Sequence, residues 1–110
     1  MPSTIDFKLG EIILVQFPKT DNDSSIKRPA VVLLDTGDED VVLARITTHP
    51  VRGKGDLAVE DWKECGLLAE STIRLSKIAT LSKTLINRKL GKLTEKNDRA
   101  LRQLYLTLLD

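Results

Sequence analysis

Three short segments of the chain bring together cations and hydroxyl groups that could act on a phosphodiester. They are Lys27 and Arg28 at the end of one polar loop, Thr47, Thr48 and His49 at the start of the next, and Arg74 in a later β-rich segment. A guanidinium presents five donors in a fork that matches two phosphate oxygens. A threonine hydroxyl adds a neutral donor for negative charge that builds up in a transition state. The set therefore indicates phosphate binding, with phosphodiester cleavage as the reaction it could support.

The composition removes the other common ways of activating a nucleophile. One histidine and one cysteine cannot build the usual zinc site within a single chain. The sequence contains neither a Gly-rich phosphate loop in a strand–loop–helix context nor a Gly-x-Ser-x-Gly elbow. We therefore expect no metal and no cofactor. RNA brings its own nucleophile, the 2′-hydroxyl group, so a nuclease with this composition would act on RNA rather than DNA.

Two members of the set have a second interpretation. Imidazole is the side-chain type that transfers protons near neutral pH, which makes His49 a candidate acid or base. The alternative is a loop residue before Pro50 that neighbouring carbonyl groups hold in place. Arg28 could equally form a surface ion pair with Asp21 or Asp23.

The chain as a whole has the composition of one globular domain, residues 1–110. Its 110 residues are 41% hydrophobic and 30% charged, with a net charge of +1. No apolar run approaches the roughly 20 residues that a membrane-spanning helix needs, and residues 1–10 do not resemble a secretory signal. The single Cys65 excludes an internal disulfide and fits a reducing cytoplasm. Positions 71–94 carry no acid but contain the basic residues Arg74, Lys77, Lys83, Arg88, Lys89 and Lys92.

The hydrophobic pattern predicts a mainly β domain that ends in one helix. Apolar and β-branched residues indicate strands, and clusters of Gly, Pro and charged residues indicate the turns between them. The predicted strands are 11–17, a hairpin over 30–46, 57–59, 71–75, 77–81 and a weaker segment over 85–90 that Gly91 ends. Two long polar loops, 18–29 and 47–56, separate them. Thr94 suits a helix N-cap, and Leu101, Leu104, Tyr105 and Leu108 recur at helical spacing, so residues 95–109 are predicted to be an amphipathic helix. Leu106 lies off that apolar face, where a partner could cover it.

Three motifs, in order and with matching spacing, resemble the PemK/MazF toxin family. The first is Gly10-Glu11-Ile-Ile-Leu-Val-Gln-Phe-Pro18, followed after a polar loop by Lys27-Arg28-Pro29 and an apolar strand. The second is Arg45-Ile46-Thr47-Thr48, and the third is Ser71-Thr-Ile-Arg-Leu-Ser-Lys-Ile-Ala-Thr-Leu81. Residues 85–93 and the last helix are similar to the PemK-like branch, so the resemblance covers nearly the whole chain.

This resemblance implies both a fold and an activity. The fold is a small SH3-like or CcdB-like barrel of five to seven strands with a C-terminal α-helix, usually a homodimer. The activity is that of a metal-independent, sequence-specific endoribonuclease that cleaves single-stranded RNA through 2′-hydroxyl attack. Such an enzyme is the toxin of a type II toxin–antitoxin pair, held in check by a cognate antitoxin protein.

The resemblance also implies the roles of particular residues. Arg28, Thr47 and Arg74 match catalytic positions of the family, and the loops 19–27 and 49–56 match segments that bind RNA and antitoxin. The expected RNA-binding residues are Lys19, Lys27, Thr48, His49, Arg52, Lys54 and Ser76. Ser76 stands where one branch of the family has a catalytic aspartate. Because serine is not a base near neutral pH, we assign charge stabilisation to Arg28 and phosphate binding to Thr47.

The same departure keeps a second function open. A domain of this fold with Ser76 and Ala79 in the third motif could bind RNA with little or no cleavage. It could also act as a CcdB-like poison of DNA gyrase. The Arg-Pro and Ile-Thr motifs favour the ribonuclease over gyrase poisoning because they supply the phosphate-binding pair.

Overall fold

The computed structural model describes residues 6–17 and 26–109, which form six β-strands and one α-helix. The strands are β1 (Glu11–Phe17), β2 (Ile26–Leu34), β3 (Asp40–Thr47), β4 (Asp56–Ala58), β5 (Thr72–Ser82) and β6 (Ile86–Lys92). A single 3₁₀ turn (Lys83–Leu85) joins β5 to β6, and the helix α1 spans Glu95–Leu109. The predicted strand 11–17, the hairpin and the terminal helix are confirmed. No helix within the described ranges is long and apolar enough to cross a membrane.

The six strands form one antiparallel sheet in the order β4-β5-β3-β2-β1-β6. The mainly β class, the strand number and the C-terminal helix are as expected, but among the described residues no hydrogen bonds close the sheet into a barrel. The turn segment 60–67, which follows β4, packs against β6 at the opposite edge. A Cβ atom on Gly66 would lie 2.1 Å from the carbonyl oxygen of Leu90, so only glycine permits this approach. Gly66 also has a φ of +92°, which other residues rarely adopt.

Three boundaries differ from the sequence prediction. Residues 26–29 belong to β2 rather than to the preceding loop, which places Arg28 on a strand. The segments 71–75 and 77–81 are one strand, β5, with an irregularity between them. β6 continues through Gly91, where a Cβ atom would lie 2.2 Å from the carbonyl oxygen of Cys65. The glycine therefore serves the packing of two backbones and does not end the strand.

Apolar side chains on both faces of the sheet are buried, in two clusters. One cluster lies under α1 and the segment 59–67 and includes Ile12, Val31, Ile73 and Leu101. The other lies on the opposite face and includes Ile13, Val15, Phe17, Ala30 and Leu43. Alternate residues of each strand point to opposite faces, so successive residues of β1 enter different clusters.

Asn97 fastens the first turn of α1 to the segment after β4. This side chain is 2% exposed, and its Oδ1 accepts a hydrogen bond from the backbone N–H of Glu60 at 2.9 Å. Its Nδ2 donates to the carbonyl oxygen of Glu60 and to Thr94 Oγ1, the latter at 2.8 Å. The Thr94 side chain in turn accepts from the backbone N–H of Asn97, which confirms Thr94 as the N-cap.

We expect Asn97→Ala to lower the free energy of unfolding by about 3 kcal/mol, because it removes the hydrogen bonds that the buried Asn97 side chain makes to both backbone groups of Glu60 and to Thr94. Urea denaturation measures the loss. Asn87→Ala, at an exposed position of β6, is the matched control and should change stability by less than about 0.5 kcal/mol. Equal effects of the two substitutions would show that the Asn97 hydrogen bonds contribute nothing specific.

Candidate active site

The pairing of β2 with β3 sets the geometry of the site. Ala30 lies opposite Arg45, and extending this register by two residues sets Arg28 opposite Thr47. Residues two apart on a strand share a face, so Arg28, Arg45 and Thr47 all point to the same side of the sheet. The β2–β3 pairing begins at Ala30, and the preceding Pro29 has no N–H to extend it. Beyond the pair of Ala30 and Arg45, the ends of β2 and β3 therefore run side by side without further backbone pairing.

A cleft of about 230 Å³ occupies this place. It is lined by Arg28, Arg45, Ile46, Thr47, His49, Arg74 and Lys77. The three residues expected to be catalytic, Arg28, Thr47 and Arg74, thus line one cleft. Within the described residues, the cleft has no carboxylate in its lining, so its electrostatic character is cationic.

Asp56 on β4 holds Arg74 in position. Its Oδ1 lies 3.3 Å from Arg74 Nε, and the carboxylate side chain is only 3% exposed. The backbone N–H of Arg52 donates to the other carboxylate oxygen at 2.9 Å. The hydrogen bond from Arg52 and the ion pair with Arg74 hold the pKa of Asp56 below its usual value, against the opposing effect of burial. The carboxylate binds Arg74 through Nε, which leaves the two terminal nitrogens of the guanidinium for a ligand.

A bulge in β5 shapes the wall of the cleft next to Arg74. Ala44 pairs with Ile78 and Arg45 pairs with Arg74, so residues 75–77 have no partner on β3. The loop before β4 covers this bulge, because the backbone N–H of Leu75 donates to the carbonyl oxygen of Gly55 at 2.7 Å. Bulges redirect side chains, and here Lys77 enters the cleft lining. Ser76 is exposed beside Gly55 and is not part of the lining.

Thr47 and His49 are linked by a hydrogen bond. The backbone N–H of His49 donates to Thr47 Oγ1 at 3.2 Å. The hydroxyl oxygen accepts this bond, and its own proton is therefore free to be donated to a ligand in the cleft.

The other expected binding residues lie around the cleft rather than in it. Lys27 is exposed on β2 but points to the opposite face from Arg28. Thr48 lines a neighbouring depression that also contains Trp62, Glu60 and Glu70. The exposed Arg52 and Lys54 belong to the loop that precedes β4. Lys19 lies outside the described residues, as do Asp21 and Asp23, the alternative partners of Arg28.

Three members of the site were not identified from the sequence: Arg45, Asp56 and Lys77. Arg45 could have been found, because it lies two residues before Thr47 on a predicted strand and so shares its face. The guanidinium of Arg45 lies over the ring of Phe17, 4.5 Å from the ring centroid. Asp56 and Lys77 owe their positions to the β4–β5 pairing and to the bulge, for which the sequence has no local signal.

No group of three or more His, Cys, Asp or Glu side chains within residues 6–17 and 26–109 is placed to hold a metal ion. The donors that line the cleft are guanidinium, ammonium, hydroxyl and imidazole groups. Apart from the imidazole of His49, these are groups that bind anions or donate protons rather than ligate metals.

Comparison with known proteins identifies the family. Residues 8–106 match the family model of the PemK-like, MazF-like toxins of type II toxin–antitoxin systems. Because the match covers most of the chain, this protein belongs to that family. No curated protein is similar enough in sequence to count as a match.

Solved structures share the fold at low sequence identity. A mycobacterial endoribonuclease in complex with its cognate antitoxin superposes with a TM-score of 0.74 at 18% identity, covering 92% of this chain and 92% of that chain. A second mycobacterial endoribonuclease gives 0.72 at 18% identity, covering 99% and 93%. The Mycobacterium tuberculosis toxin MazF-mt6 gives 0.74 at 21% identity, covering 91% and 96%.

We expect Asp56→Asn to lower the free energy of unfolding by about 2 kcal/mol at pH 7, because the neutral amide loses the charge-assisted bonds from Arg74 and Arg52. The folded-state pKa of Asp56 lies below its unfolded value, so its contribution is fully present above about pH 4 and is lost as the pH falls through the folded-state pKa. Urea denaturation between pH 7 and pH 3 should therefore show the wild type and Asp56→Asn converging at the acid end. The exposed Asp6→Asn serves as the control, and a stability difference for Asp56→Asn that is independent of pH would contradict this account.

Proposed function

We propose that this toxin is a metal-independent endoribonuclease that cleaves single-stranded RNA through attack of the RNA's own 2′-hydroxyl group. The observation that carries the proposal is the convergence of Arg28, Thr47 and Arg74 on one cationic cleft. Structures of similar fold include proteins described as endoribonucleases, which supports the same activity. An RNA target and a free, buried Cys65 both fit a reducing cytoplasm.

The proposed reaction is an in-line displacement at phosphorus. The 2′-oxygen forms a bond to phosphorus, the bond from phosphorus to the 5′-oxygen breaks, and the products are a 2′,3′-cyclic phosphate and a 5′-hydroxyl. Negative charge grows on the non-bridging oxygens in the transition state. The guanidinium groups of Arg28 and Arg74 and the hydroxyl proton of Thr47 stabilise that charge.

Two protons must move in this reaction. One leaves the 2′-hydroxyl and one reaches the departing 5′-oxygen. His49 lines the cleft, and its imidazole is the group there that suits proton transfer near neutral pH. Arg28 can donate a hydrogen bond to the 5′-oxygen, but a guanidinium does not readily give up a proton and is a poor proton shuttle.

Purified protein in EDTA should cleave single-stranded RNA, and sequencing the new 5′ ends should reveal the preferred site. We expect Arg28→Ala to lower kcat/KM by about a thousandfold and Thr47→Val by about a hundredfold, because each substitution removes a donor to the transition state. A single 2′-deoxy substitution at the cleaved nucleotide should abolish cleavage.

Arg99→Ala, which removes an exposed guanidinium from α1 outside the cleft, is the control and should retain activity. RNA binding without cleavage by the wild type would favour the silent RNA-binding module, and inhibition of DNA gyrase would favour the CcdB-like function. Cleavage of the 2′-deoxy substrate would refute the 2′-hydroxyl mechanism.

The antitoxin partner would lie across the cationic cleft. The cleft needs negative charge to balance it, so we propose that an acidic segment of the antitoxin covers it and excludes RNA. The similar structure that was solved with its cognate antitoxin supports a partner of this kind.

We further propose that the toxin is a homodimer and that an apolar groove beside α1 is part of the contact. The groove has a volume of about 500 Å³ and contains Leu34, Ile78 and Leu106, which are 53%, 44% and 59% exposed. Arg102 at its edge is paired with Asp98 at 3.0 Å, so the groove offers no unpaired charge to a polar ligand. A second copy with the same apolar face fits this chemistry.

Leu106→Glu should convert the dimer to a monomer, because it places a charge in the buried part of the contact. Light scattering coupled to size-exclusion chromatography measures the molar mass over a range of concentrations. Leu68→Glu, at a site that is 98% exposed and outside the groove, should remain dimeric. A wild type that is monomeric at high micromolar concentration would disprove the homodimer.

A further inference from the structure

The cleft holds more positive charge than one phosphodiester can balance. Arg28, Arg45 and Lys77 line it, and none of the three takes part in an ion pair within the described residues. Arg74 is balanced by Asp56. A single phosphodiester carries one negative charge, whereas Arg28, Arg45 and Lys77 together carry three positive charges. A ligand that brings at least two adjacent phosphates would match the cleft better.

Arg45 is held in place by a contact that leaves its donors free. Its guanidinium stacks on the ring of Phe17, a residue that is 5% exposed and belongs to the buried cluster that includes Ile13 and Val15. Ala30 lies opposite Arg45, and its small side chain leaves room for the long arginine to lie across β2. Stacking uses the flat face of the guanidinium, whereas its N–H donors lie in the plane and remain available to bind an oxyanion bidentately.

Arg45 lies opposite a second cation in the sheet. It pairs directly with Arg74 across β3 and β5, and like charges at directly opposite positions destabilise a sheet. Arg45 has no carboxylate partner in the described part of the chain, whereas Arg74 has Asp56. The stacking on Phe17 and the ion pair with Asp56 reduce this repulsion, and an anion bound between the strands would reduce it further.

We propose that Arg45 binds the RNA phosphate adjacent to the scissile one, while Arg28 and Thr47 hold the scissile phosphate. This inference rests on the proposed ribonuclease function and extends it, because it makes the substrate a segment with at least two consecutive phosphates. Lys77, on the bulge of β5, adds a mobile point charge to the same subsite. Arg45 is therefore a substrate-positioning residue whose contact is to the backbone and not to a base.

The first test compares cleavage of matched RNA substrates by the wild type and by Arg45→Gln. On an oligonucleotide around the mapped cleavage site, we expect Arg45→Gln to lower kcat/KM about ten- to a hundredfold, as the loss of one charge-assisted contact implies. A neutral methylphosphonate is then placed at each neighbouring phosphate in turn. At one adjacent position the neutral linkage should cost the wild type more activity than it costs Arg45→Gln, in which only the Lys77 contribution to that subsite remains.

The second test measures binding without cleavage. Fluorescence anisotropy follows binding of the 2′-deoxy oligonucleotide from 50 to 300 mM salt. Arg45→Gln should reduce the slope of log K against log salt by about 0.7, the value for one phosphate contact on a single strand. Arg45→Lys keeps the charge and should keep most of the slope, and the control Arg99→Gln should match the wild type in both tests. Thermal unfolding of each variant reports whether the loss of stacking on Phe17 affects the fold.

The outcomes separate this inference from the ribonuclease function itself. One result would overturn the flanking-phosphate role of Arg45. In it, the wild type cleaves RNA, and Arg45→Gln is equally impaired on every substrate, including a dinucleotide that has only one phosphate. An unchanged salt slope in Arg45→Gln would also overturn it. A wild type that binds the oligonucleotide with the expected slopes but cleaves no RNA would refute the enzyme and leave the phosphate subsite intact.

Discussion

The site depends on keeping several positive charges together in one cleft. Guanidinium groups repel one another, and the chain counters this repulsion with two fixed contacts: the ion pair of Arg74 with the buried Asp56 and the stacking of Arg45 on Phe17. Asp56 binds one edge of the Arg74 guanidinium, and Phe17 contacts one face of the Arg45 guanidinium, so both groups keep other N–H donors free. The cleft is thus organised before any ligand arrives, which is the condition under which fixed charges stabilise a transition state most.

The β2–β3 register decides which charges meet. With Ala30 opposite Arg45, residues 28, 45 and 47 share one face, and a slip of one residue would send Arg28 to the other side of the sheet. Buried residues on both faces make such a slip costly, because it would exchange the two apolar clusters. The contact of Gly66 with Leu90 and the Asn97 hydrogen bonds tie the far edge and the helix to the same framework. The strand register and the apolar packing that stabilise the sheet therefore also fix the positions of the residues in the cleft.

Local patterns in the sequence predicted the parts of the fold that local forces determine. The apolar, β-rich composition of residues 11–17, the turn inside the 30–46 hairpin and the Thr94 cap each depend on near neighbours, and all three are confirmed. The start of β2 at Ile26 was not predicted, because its polar residues are typical of a loop and their pairing partners lie on β1, about ten residues earlier in the chain. Arg28 and Thr47 were found through their motifs. Asp56 was missed because its partner Arg74 is 18 positions away.

The proposed reaction requires few reactive groups from the protein, and the residues in the cleft are consistent with this. In the proposed mechanism RNA supplies the nucleophile, and the proposed task of the protein is to position two neighbouring phosphates and stabilise charge at one of them. Strands suit this task because the side chains of Arg45 and Thr47 leave β3 at a fixed spacing, whereas a flexible loop would have to be ordered at a cost in free energy. In the proposed mechanism a carboxylate in the lining would oppose the substrate's charge. Asp56 is instead buried beside Arg74, where it positions a cation without entering the lining of the cleft.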